Sequence, residues 1–236
     1  MSGKTEQELR SNQRLLVIGD IHGQFDKMKK VLTLAEYDPM KDKLILLGDY
    51  VDRGPDSSRV VDEVMRLVAA GALALYGNHE DMMRRALKKR QSSRLSAEDL
   101  EQWFANGGEI TLASYRTNSA MVDAHLDFFS SLPRWHEERG FLFVHAGIRP
   151  DKPLAQQSPQ DLIWIREPYI LGYEGPRDIV TGHTPTQYLG RYELFPDITD
   201  FSKPVIRAHK FFLDTGAAWG GQLTVMELPS QQFWQA

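Results

Sequence analysis

Four of the seven histidines in this 236-residue chain sit in short clusters that combine them with aspartate or asparagine and with glycine. The clusters containing histidine are Gly19-Asp20-Ile21-His22-Gly23, Gly77-Asn78-His79-Glu80, His145-Ala146-Gly147 and Gly182-His183-Thr184-Pro185. A fifth cluster, Gly48-Asp49-Tyr50-Val51-Asp52-Arg53-Gly54, has two carboxylates and an arginine. Carboxylate, amide and imidazole donors without sulfur suit Mn²⁺, Fe²⁺ or Zn²⁺ rather than soft metals. Gathered in one crevice, Asp20, His22, Asp49, Asn78, His145 and His183 form an oxygen-and-nitrogen set able to hold two divalent ions with one carboxylate between them. An isolated Asp-x-His pair reads as an ordinary loop. Only the joint occurrence of the clusters points to metal chemistry.

Each cluster ends a short apolar run: Arg14–Ile18, Lys43–Leu47, Ala72–Tyr76, Phe141–Val144 and Asp178–Thr181. These runs are too short for helices and predict buried strands. Between the first three, Phe25, Met28, Val31, Leu32 and Ala35 recur at helical spacing, as do Val60, Val61, Val64, Leu67 and Val68. The β-α-β-α-β opening predicts an α/β fold with a largely parallel sheet, and loops leaving the carboxyl ends of such strands converge where ligands bind. Residues 82–132 read as helix-rich, with Ser96-Ala97-Glu98-Asp99 marking a helix start. Lys203 to Leu228 reads as β-rich. Without repeats or linkers, the expectation is a polar N-terminal tail over residues 1–13 and a single domain over 14–236.

Composition narrows the function classes. Lys and Arg total 28 against 32 Asp and Glu, a net charge of −4, which lacks the basic excess of a general nucleic-acid binder. The absence of cysteine excludes disulfides, thiolate metal sites and thiol catalysis, and suits a reducing cytoplasm, the expected location. No run of apolar residues is long enough to predict a membrane span, and the polar start is no secretory signal.

The ordered boxes GDIHG, GDYVDRG, GNHE, HAG and GHTP resemble those of the calcineurin-like metallophosphoesterases. The second box, with Asp52 and Arg53, resembles the serine/threonine phosphatases of the phosphoprotein phosphatase family. The trailing Asp214-Thr215-Gly216-Ala217 is similar to small bacterial and bacteriophage members. The resemblance implies a four-layer α/β/β/α sandwich of two mixed sheets flanked by helices. It assigns one metal to Asp20, His22 and Asp49 and a second to Asp49, Asn78, His145 and His183, with Mn²⁺ the preferred ion. It further implies a hydroxide bridging metals about 3.5–4 Å apart as the nucleophile for in-line attack on phosphorus. Arg53 and Arg166, the latter in Ile163-Trp164-Ile165-Arg166-Glu167, would hold phosphoryl oxygens, a task suited to guanidinium geometry. Asn78 would line the substrate site as well as ligate. His79 and Asp52 would form a general-acid dyad in which Asp52 favours the protonated imidazole.

Two substrate classes fit these boxes: phosphoserine and phosphothreonine in proteins, or dinucleoside polyphosphates and related capped 5′ ends. Symmetrical dinucleoside tetraphosphatases typically have Ala in place of Asp52 and GNHD in place of GNHE, which favours the protein phosphatase. Simpler roles remain for some residues: Arg166 pairing with Glu167, Asp52 capping the next helix, and Asn106-Gly107-Gly108 ending one. The stretch Arg84, Arg85, Lys88, Lys89, Arg90 and Arg94 reads as a solvated helix face rather than a nucleic-acid surface. His125, His136 and His209 read as surface or internally satisfied histidines, and Phe233 and Trp234 as a packed tail or a contact surface. Oligomeric state is open.

Overall fold

Leu15 and Val17 face one side of strand β1 (Arg14–Ile18) and Leu16 and Ile18 the other, and all four are fully buried. A strand buried on both faces needs a layer on each side, and the computed structural model supplies them. It describes residues 13–87, 96–117, 119–192 and 195–236. Residues 1–12 of the polar tail, and Lys88, Lys89, Arg90 and Arg94 of the basic stretch, lie outside the described residues.

The first sheet has the order β10-β9-β1-β2-β3. In it β1, β2 (Asp42–Leu46) and β3 (Leu73–Ala74) run parallel, while β9 (Thr224–Leu228) and β10 (Phe233–Gln235) form an antiparallel flank. The second sheet, β4-β5-β6-β8-β7, has parallel β5 (Phe141–Val144), β6 (Asp178–Thr181) and β8 (Lys210–Phe212) between antiparallel β4 (Trp135–Glu138) and β7 (Val205–Arg207). Leu15, Val17, Ile45, Phe143, Val180 and Phe211 form one buried cluster between the sheets. The alternate residues, among them Leu16, Ile18, Leu142 and Phe212, join a second cluster with the helices outside. The expected four-layer arrangement of two mixed sheets flanked by helices is therefore present.

Helices α1 (Phe25–Leu34) and α2 (Ser57–Ala69) cross between the parallel strands, burying Met28, Val31 and Leu32 from one and Val60, Val61, Val64 and Leu67 from the other. The helix-rich middle holds α3 (Asn78–Leu87), α4 (Ala97–Ala105), α5 (Gly108–Ser114) and α6 (Met121–Ser131). The expected helix start is realised: the Ser96 side chain accepts from the Asp99 amide at 3.3 Å. No helix among the described residues is long and apolar enough to cross a membrane.

Two elements depart from the sequence expectations. The Ala72–Tyr76 run yields a strand of only two residues, because Tyr76 turns away to bond Pro133 through its amide. Strand β4 carries Trp-His-Glu-Glu at a sheet edge and has no apolar run to betray it. Of the two readings for Phe233 and Trp234, the packed tail is the one seen: they form an edge strand on β9, with Trp234 against the core.

Candidate active site

All five boxes follow the carboxyl ends of parallel strands: β1, β2 and β3 in one sheet, β5 and β6 in the other. The Asp49–Gly54 loop is tied to its neighbours through the backbone, with the amides of Ile21 and His22 bonded to Asp49 O at 3.1 and 2.8 Å. Buried Glu80 gathers two loops by accepting from the amides of Asp49, Tyr50 and Gly77 at 2.8, 2.7 and 3.0 Å. These ties hold backbone that is otherwise unfavourable. His22, Asp49, Asp52, Arg53 and His183 all have positive φ, between +47° and +73°, a region that L residues rarely enter.

Asp49 is the centre of the cluster. Its carboxylate oxygens stand 3.6 Å from His22 Nε2, 3.9 Å from His79 Nε2 and 3.3 Å from His145 Nε2. Among the described residues two groups could hold a metal ion, His22–Asp49–His79 and Asp49–His145–His183, and Asp49 belongs to both. Burial alone would raise its pKa, but the surrounding imidazoles of His145, His79 and His22 hold it well below the usual carboxylate range.

The donor chemistry fits divalent ions. His22 Nδ1–H donates to Val51 O at 2.8 Å and His145 Nδ1–H to Leu47 O at 2.9 Å, so each turns Nε2 inward. His183 is reversed: Nε2–H donates to Trp164 O at 3.2 Å, leaving Nδ1 2.8 Å from Asn78 Oδ1. Asn78 Oδ1 is also 2.8 Å from His145 Nε2. One amide oxygen and two ring nitrogens thus converge as the donor set of a divalent ion would. Asp20 Oδ2 accepts from the His183 amide at 2.9 Å, whereas Asp20 Oδ1 is buried with no partner. A Cβ on Gly182 would overlap this oxygen. Burial and the nearby Asp214 push Asp20 well above the usual carboxylate range. Burial would lower His145, yet Asp49 and Asp20 raise it to about 9.

Asp52 faces the opposite way. Its Oδ2 meets His79 Nδ1 at 2.6 Å, and its Oδ1 accepts from Trp103 Nε1 at 2.9 Å and Thr111 Oγ1 at 2.8 Å. It is not the cap of α2, which Asp56 precedes. Burial pushes the Asp52 carboxyl up to about 7, and burial with the charges of Arg53, His145 and Arg166 pushes His79 down to about 3 against the pull of Asp49. Burial and the neighbouring cations thus oppose the protonated imidazole that the resemblance implies. Arg53 Nη1 donates to His22 Nε2 at 2.6 Å, and Arg166 Nη2 donates to His183 O at 3.3 Å, so both guanidiniums reach the cluster.

The six expected ligands therefore come together with both arginines and the dyad. One grouping differs: the third member beside His22 and Asp49 is His79, and Asp20 lies outside both three-residue groups. His125 is satisfied between Tyr115 at 2.7 Å and Asp62 at 3.0 Å, while His136 and His209 pair with Glu138 and Asp178 near the surface. Sequence reasoning missed Trp103 and Thr111. They brace Asp52 from helices 51 and 59 residues further on, with no local pattern to mark them. Asn106-Gly107-Gly108 does join two helices, but a Cβ on Gly107 would also meet Arg53 N at 2.8 Å, so this glycine admits the Arg53 backbone.

A model of the calcineurin-like phosphoesterases matches residues 13–211. Serine/threonine-protein phosphatase 1 of Salmonella typhimurium is 31% identical over 94% of each chain. The asymmetrical bis(5′-nucleosyl)-tetraphosphatase PrpE of Bacillus cereus is 27% identical over 92% of this chain and 91% of its own. A solved structure described as a candidate diadenosine tetraphosphatase superposes with a TM-score of 0.69 at 19% identity, covering 95% of this chain and 93% of that one. A metallophosphoesterase from Sphaerobacter thermophilus follows at 0.56 and 20%, covering 95% and 88%. With its boxes gathered around Asp49 at the ends of two sheets, the chain belongs to the calcineurin-like phosphoesterase family.

Proposed function

We propose that the protein is a metal-dependent phosphomonoesterase acting on phosphoserine and phosphothreonine in proteins, in the cytoplasm. The observation that carries this reading is the 2.6 Å contact between Asp52 Oδ2 and His79 Nδ1 beside the Asp49 cluster. A serine or threonine alkoxide is a poor leaving group and needs a proton, which such a pair can deliver.

In this reading Asp20, His22 and Asp49 hold one divalent ion, and Asp49, Asn78, His145 and His183 hold another. Mn²⁺ is the proposed activator because the donors mix carboxylate with imidazole. When bound, such a pair of ions supplies Lewis acidity and activates water for attack on phosphorus. Arg53 and Arg166 bind and orient the phosphoryl oxygens. Burial is the main force against protonating His79, and the bound phosphate offsets the further opposition of the two guanidinium charges. His79 Nε2 then gives its proton to the departing ester oxygen, while Asp52 holds Nδ1 and the ring plane.

A second reading, cleavage of dinucleoside polyphosphates, is favoured by the names of the nucleosyl-tetraphosphatase relatives. The test compares turnover of a phosphoserine peptide and diadenosine tetraphosphate by enzyme of defined metal content. Higher kcat/KM on the peptide supports the phosphatase, and a preference for the dinucleotide overturns it.

A further inference from the structure

Trp219 is 68% exposed, yet the Arg53 guanidinium carbon lies 4.8 Å from its ring centre. The segment that carries it is firmly built. Lys27 Nζ donates to Ala217 O at 3.2 Å and to Gly221 O at 2.6 Å, and the Trp219 amide bonds Gly216 O at 2.8 Å. The Arg53 amide faces Gly107 O at 3.5 Å, with no room there for a Cβ, so this arginine is held between a helix junction and an indole. One indole face is spent on the guanidinium. Much of the ring remains open to solvent beside the phosphate-binding group.

We propose that the open indole face is a stacking platform for a nucleobase whose phosphate is held by Arg53, so that the site binds nucleotides through the base as well as the phosphate. This rests on the assignment of Arg53 to phosphate. Aromatic rings stack with centres about 4.5–7 Å apart, so a base beyond the indole lies about 9–12 Å from the guanidinium. A ribose and one or two phosphates span that interval, whereas a ring bonded directly to the phosphoryl oxygen does not. A base also arrives as a rigid plane on a short tether. An aromatic side chain elsewhere in a phosphopeptide must have its backbone and torsions ordered as well.

The test measures AMP and ribose 5-phosphate as competitors of para-nitrophenyl phosphate hydrolysis at fixed free Mn²⁺. The two share the phosphate and differ in the base. AMP should bind about tenfold more tightly than ribose 5-phosphate, a gain of the size base–aromatic stacking provides. Trp219→Phe should keep most of that gain and Trp219→Ala should lose it. The gain is a ratio within each variant, so any general effect on Arg53 cancels. No gain in the wild type, or an equal gain in Trp219→Ala, overturns the proposal. A third result also overturns it: no base gain, but a lower KM for phosphoserine peptides bearing a neighbouring aromatic residue, abolished in Trp219→Ala. Failure to turn over any phosphopeptide would remove the protein-phosphatase reading and leave the AMP ratio intact.

Discussion

Gly182 and Asp20 cannot both carry full side chains: a Cβ on the glycine would occupy the space of Asp20 Oδ1. That oxygen is buried without a partner, while its twin accepts from the His183 amide at 2.9 Å. The absence of one side chain therefore lets a carboxylate from the first sheet lie against the His183 loop of the second.

Gly182→Ala should displace Asp20 and cost about 1–3 kcal/mol of stability by overpacking. Activity or metal affinity should fall about 10–100-fold, as when the support of a metal ligand is lost. Metal titration alongside thermal melting checks this, and a variant with both properties unchanged would contradict the assignment of Asp20.

Asp49→Asn keeps the shape and removes the charge that faces His22, His79 and His145. Because Asp49 belongs to both candidate metal groups, metal content and activity should fall together. Elemental analysis beside an activity assay reads both. Two retained ions with near-normal turnover would exclude a bridging role.

Glu63 offers a pH prediction away from the site. Two bonds from Arg66 at 2.8 and 2.7 Å and one from Lys29 at 2.8 Å outweigh burial and pull its pKa to about 2. A carboxylate lowered on folding stabilises above its unfolded pKa, and that stability is lost as pH falls from about 4.5 toward 2. Its solvent-facing partners reduce the effect to about 1 kcal/mol. Glu63→Gln should lower stability at pH 7 by that amount and flatten the acid limb of the stability profile. Denaturant melts across pH 2–7 check it, and parallel profiles would count against the pairing.

Much of the site was legible because each cluster joins its chemical residues to a glycine at the end of an apolar run. Asp20, His22, Asp49, Asn78, His145 and His183 could be collected on that ground, and the opening strands and helices gave them one edge to share. What was hidden depends on distant contact or on backbone shape. Nothing local ties Trp103 or Thr111 to Asp52, and spacing does not reveal positive φ at His22, Asp49, Asp52, Arg53 and His183. Edge strand β4 escaped because Trp-His-Glu-Glu buries too little to form an apolar run. The placement of Trp219 against Arg53 depends on a turn pinned by Lys27, nearly two hundred residues earlier in the chain.

The dyad is the central claim, and His79→Ala tests it most directly. The variant should retain two metals, because Asp20 and Asn78 complete the proposed ligand sets without it. Rates for a phosphoserine peptide and para-nitrophenyl phosphate are compared at fixed Mn²⁺. The peptide reaction should slow by about 10²–10⁴-fold, the usual contribution of a general acid. The aryl ester should slow far less, since para-nitrophenolate leaves without a proton, and Asp52→Asn should show the same bias more weakly. Equal losses on both substrates would contradict proton donation by His79.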